Sequence, residues 1–85
     1  MPYIKEVDKE KFEDALKSII DNIVTPGEFN YVISMICKEL LVIEGESYSN
    51  YNDLIGILEC AKLELYRRMV APYEDKKIIE NGDVY

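Results

Sequence analysis

The sequence predicts an all-α fold, a compact bundle of three main helices plus a short C-terminal helix forming a single domain over residues 1–85. Three observations predict it. Apolar residues recur at three- and four-residue steps along most of the chain, which is the period of an amphipathic helix. Proline, glycine and small polar residues fall between these periodic stretches and punctuate them. No alternating strand pattern, internal repeat or low-complexity linker interrupts the series.

The first helix is predicted from about Asp8 to Val24, with Phe12, Leu16, Ile19, Ile20 and Ile23 on one face and charge on the other. The stretch "TPGEFNYVISMICKELLVIEGE" then carries a strong start signal. Thr25 caps, Pro26 occupies the first helical position, and Glu28 stands three residues after Thr25 as a capping box requires. The second helix is expected to bury Phe29, Val32, Ile33, Ile36, Leu40 and Ile43 and to end near Gly45. In "SYSNYNDLIGILECAKLELYRRMV" either Ser49 or Asn50 is available as a cap. Leu54, Leu58, Ala61, Leu65 and Met69 form the inner stripe of this third helix. Pro72 is expected to break or kink it, leaving "PYEDKKIIENG" as a short fourth helix closed by Gly82.

Composition narrows the function classes. The net charge of −7 disfavours long nucleic acid, whose phosphates require clustered cations. The chain has no histidine, which removes the commonest general base and transition-metal ligand. Cys37 and Cys60 sit inside predicted helices without Cys-x-x-Cys spacing and read as buried, reduced thiols rather than a disulfide framework. No apolar run reaches the roughly 20 residues of a membrane span, and the charged start "MPYIKEVDKEKFED" shows no export signal, so a cytoplasmic protein without a membrane partner is expected.

Two helices are apolar on more than one side. On the third, Gly56, Cys60, Leu63 and Val70 lie away from Leu54, Leu58 and Leu65. On the second, Tyr31, Met35 and Val42 lie opposite Ile36 and Leu40. In so short a chain these second faces predict an interface, and therefore a homo-oligomer with Tyr31, Met35, Gly56, Cys60, Leu63 and Val70 at the contact.

Both arginines of the chain, Arg67 and Arg68, sit side by side between Tyr66 and Tyr73. A helix C-terminus favours a cation, but arginine in particular suits a planar grip on carboxylate or phosphate. Glu64, Glu74 and Asp75 are acceptors within the chain, and a phosphorylated ligand is the alternative. Seven tyrosines beside two phenylalanines point to surfaces that are apolar and wet together. A small phosphorylated, nucleotide-like ligand is therefore expected at Lys62, Arg67 and Arg68, with Tyr48, Tyr51, Asn52, Tyr66 and Tyr73 contributing stacking or polar contacts. No cofactor is implied. A metal-dependent nucleotide pyrophosphohydrolase is the enzymatic alternative, using Glu10, Glu13 and Asp14, although a second acidic pair of the kind such enzymes need is absent. A pure protein–protein interaction module is the third reading.

The segments "MPYIKEVDKEKF", "FNYVISMIC" and "IGILECAKLELYRRMVAPYEDKKIIENGDVY" resemble a group of short uncharacterised proteins of bacteria and their phages. The resemblance covers nearly the whole chain. It implies a stand-alone small protein, with a phage origin as one source, and brings no activity with it.

Overall fold

A computed structural model describes all of residues 1–85. The chain is all-helical, with three main helices and a shorter C-terminal one, the fold class the sequence predicts: α1 (Glu6–Asn22), α2 (Pro26–Glu44), α3 (Tyr48–Leu65) and α4 (Ala71–Asn81), with a π turn (Tyr66–Val70) joining α3 to α4. It divides into two units, Pro2–Tyr51 and, with Met1, Asn52–Tyr85.

In the first unit, α1 begins two residues before the predicted Asp8. Glu6 and Asp8 both occupy its first turn, where the exposed amides favour negative charge, and no side chain caps it. It also ends two residues early. Pro26 disfavours helical backbone at Thr25, which is extended (φ −122°, ψ 156°), and Ile23 is extended as well. The capping box forms as its spacing predicts. The Glu28 amide donates to Thr25 Oγ1 at 3.1 Å, and Glu28 Oε1 accepts from the amides of Thr25 at 2.9 Å and Val24 at 3.0 Å. Those backbone bonds, that of Val24 first, hold the Glu28 carboxyl below its ordinary range. At the other end of α2, Gly45 takes φ 93°, a left-handed value that favours glycine, and its amide bonds the Leu41 carbonyl at 2.8 Å.

The start of α3 corrects the expected cap. Ser47, rather than Ser49 or Asn50, accepts the Asn50 amide on its hydroxyl at 3.0 Å. Asn50 turns back instead, and its Nδ2 donates to the carbonyls of Gly45 at 2.8 Å and Glu44 at 3.3 Å. One asparagine thus satisfies carbonyls left over at the end of α2.

In the second unit Pro72 does not break the helix. Proline lacks an amide, and its ring crowds the carbonyl four residues earlier, here that of Arg68. The chain relieves the crowding by widening one turn, so that the Ala71 amide bonds the Tyr66 carbonyl, five residues back. Val70 and Ala71 keep helical dihedrals, and α4 continues to the predicted Gly82 stop at φ 88°.

No side chain in either unit is buried. The predicted inner stripes form, but they remain open: Phe12, Leu16 and Ile20 on α1, Phe29, Ile36, Leu40 and Ile43 on α2, and Leu58, Leu65 and Met69 beyond them are all exposed. The more covered apolar residues are Ile19, Ile23, Val32, Met35, Cys37, Leu41, Leu54 and Ala71, each only half-buried. The expectation that α2 buries Phe29, Val32, Ile33, Ile36, Leu40 and Ile43 is therefore corrected: Val32 is only half-buried and the other five are exposed. No helix is long and apolar enough to cross a membrane.

Candidate functional site

The π turn gathers most of the cationic candidates. Arg67 Nη2 donates to Glu64 Oε1, one turn earlier, and Lys62 pairs with Glu59 at 2.9 Å. Both contacts follow the three-residue spacing that brings side chains together on a helix. The Glu64 side chain is 20% exposed against 54% for Glu59, so the Arg67 pair is the less screened of the two. Arg68 lies on the same turn.

Tyr66 and Glu74 show what the widened turn does. Residues eight apart on an ideal α-helix lie about 80° from each other, whereas one extra residue in the turn reduces the separation to that of a seven-residue step, about 20°. The Tyr66 hydroxyl accordingly donates to Glu74 Oε1. That bond, with the carboxylate charge behind it, raises the phenol above its ordinary value of 10.0. On α4, Lys77 stands 5.4 Å from the centre of the Tyr73 ring, a cation–π distance. Glu74 and Lys77 also border an open depression of about 360 Å³ against residues 81–85.

The other half of the predicted ligand set stands at the start of α3. Tyr48 is exposed, and Tyr51 donates to Glu46 Oε1 at 2.6 Å, which raises its pKa as well. The Asn50 amide and side chain are both used within the chain, by Ser47, Glu44 and Gly45. Asn52 and Arg67 are about 15 residues apart along one helical run, roughly 22 Å. Asn52 therefore does not reach the arginines within their shared unit.

Of the predicted interface residues, Tyr31, Gly56, Cys60, Leu63 and Val70 are exposed and Met35 is half-buried. A side chain added at Gly56 would meet open space. Glu10, Glu13 and Asp14 lie together on α1, yet no group of three or more Asp, Glu, Cys or His side chains converges anywhere in the chain to hold a metal ion.

Sequence reasoning found the Arg67–Glu64 spacing but missed the Tyr66–Glu74 contact, whose only trace in the sequence is Pro72.

The chain belongs to the family described as a domain of unknown function, DUF6899, whose model matches residues 1–84. No curated protein and no solved structure matches it.

Proposed function

We propose that this protein is a self-assembling helical module that acts by binding rather than by chemistry, with a hydrophobic core built between chains. One observation carries the reading: no side chain is buried, while apolar stripes on all three main helices are exposed. In proteins most helical stability comes from covering an apolar face rather than from intrinsic propensity. Burying one Leu, Ile or Phe side chain contributes about 1.5–3 kcal/mol. A further copy offers the same stripes and so a matching surface. Light scattering and circular dichroism over a dilution series test this. The expected result is a mass that is a multiple of 9.9 kDa, with helix content falling on dilution. A cooperatively folded 9.9 kDa monomer would overturn it.

A second reading, a small phosphorylated ligand at Arg67, Arg68 and Lys62, is supported by the π turn itself. Such turns occur frequently at functional sites, and this one carries both arginines beside Tyr66. The ligand phosphate would exchange for Glu64 at the Arg67 fork. A thermal-shift screen with nucleotides tests it, since a ligand at 100 times its Kd adds about 2.7 kcal/mol. Arg67→Lys should weaken binding by about 1–3 kcal/mol and shrink any such shift, because lysine keeps the charge and loses the fork. A shift of unchanged size would place the ligand elsewhere.

A further inference from the structure

The exposed face of α2 has a regular order that the assembly reading alone does not require. Phe29, Ile33, Ile36, Leu40 and Ile43 follow one another at steps of four, three, four and three residues. That is the spacing of a seam along which two helices lie side by side, and it extends about 21 Å. All five are exposed, from 36% at Ile33 to 75% at Ile43, while Met35, Cys37 and Leu41 to either side are half-buried. The open strip of α2 is therefore its most regularly patterned one.

We infer that this strip is the contact between two copies of the chain and that the two α2 helices run antiparallel across it, an inference that rests on the assembly reading above. Charge decides the direction. Glu39 and Glu44 flank the seam on opposite sides. In a parallel pair in register, a flanking residue faces the one five positions later in the other helix, which sets Glu39 against the partner's Glu44 on both sides of the contact. Like charges so placed are destabilising.

An antiparallel pair layers Phe29 on the partner's Leu40, Ile33 on the partner's Ile36 and Ile43 on the partner's Pro26. Every layer is then apolar, and Pro26, which the helix start places at the next seam position before Phe29, completes the strip. Glu39 now faces the partner's Val32, and Cys37 faces the partner's Asn30. No acidic side chain opposes another along the seam.

Directed cross-linking tests the arrangement. One chain carries its only cysteine at position 30 (Asn30→Cys, Cys37→Ser, Cys60→Ser), and a second retains only Cys37 (Cys60→Ser). Co-refolded and treated with a short bismaleimide, the mixture should give a covalent pair at least tenfold more efficiently than the position-30 chain alone, whose own cysteines lie about nine residues apart in height across the antiparallel seam. Equal cross-linking of the position-30 chain with itself would overturn the antiparallel direction. No cross-link in a mixture that light scattering shows to be oligomeric would overturn the seam and leave assembly standing, whereas a monomer would end both. A second pair of variants reads the same surface without cysteines: Ile36→Lys should lower the assembled mass, and Lys38→Glu, an exposed position on the opposite side of α2, should not. Equal dissociation by both would also overturn the seam.

Discussion

Pro26 and Pro72 are the same residue in two settings, and the chain responds to them in opposite ways. At Pro26 a new helix starts. Thr25 turns extended, and the Glu28 carboxylate takes the two amides that the change of direction releases. At Pro72 the helix continues, with Val70 and Ala71 in helical conformation and the cost absorbed by one wide turn. The stretch before Pro72, "YRRMVA", contains no Ser, Thr, Asp or Asn that could cap a fresh start. A proline ends a helix where neighbouring side chains can satisfy the amides that an ending exposes. Where they cannot, widening the turn is the smaller loss.

The most direct way to break this contrast is Pro72→Ala. With an amide restored and the ring gone, the wide turn should revert to a regular α turn and stability should rise by up to about 3 kcal/mol, the difference between Pro and Ala in a helix interior. Thermal unfolding measures that gain. The reversion would also rotate everything after position 72 by about one residue, or 100°, and carry Glu74 away from Tyr66. Pro26→Ala should change stability by only a few tenths of a kcal/mol, because the first helical turn has no use for that amide. Similar effects at both sites would defeat the comparison.

The same contrast explains which parts of the structure were legible. Element type and order were written in the periodicity, and α2 was readable to its ends because Thr25, Pro26, Glu28 and Gly45 are each local signals. The start of α3 was displaced by a cap outside the pair the sequence offers: Ser49 and Asn50 are the expected caps, and the geometry gives Ser47 the amide and Asn50 the carbonyls. The Arg67–Glu64 contact was legible because it obeys α-helical spacing. The Tyr66–Glu74 contact was not, since its eight-residue separation faces one side only after the turn has gained a residue. The open faces were the largest departure. Hydropathy shows that a stripe is apolar, but not that its own chain covers it.

A smaller effect sharpens the Pro26 side. Thr25→Ala removes the hydroxyl that receives the Glu28 amide and should cost about 1 kcal/mol of folding stability. The box has a pH signature with a definite sign. Because the folded Glu28 carboxyl titrates below its ordinary 4.5, its contribution is complete above that value and disappears as the pH falls through the lowered one. Acid titration of helix content, compared with that of Glu28→Gln, should show an added loss below pH 4.5 in the unsubstituted protein alone. Identical acid limbs would mean that the carboxylate is dispensable to the cap.

The smallest effect belongs to the Pro72 side and reports on the wide turn directly. Tyr51 and Tyr66 both donate to carboxylates, and both phenols are raised above 10.0. Each bond therefore stabilises the fold below pH 10.0 and is lost as the pH rises through the raised value. They differ in what holds them. Tyr51 reaches Glu46 just ahead of α3, whereas Tyr66 reaches Glu74 across the widened turn. Ultraviolet titration of phenolate formation should lose part of its late limb above pH 10.0 in Tyr66→Phe. Pro72→Ala should advance the Tyr66 share of that limb while the Tyr51 share stays late, because Glu46 does not move with the turn. A late limb unchanged in Pro72→Ala would mean that the Tyr66–Glu74 bond survives without the proline, and that something other than Pro72 holds the turn open.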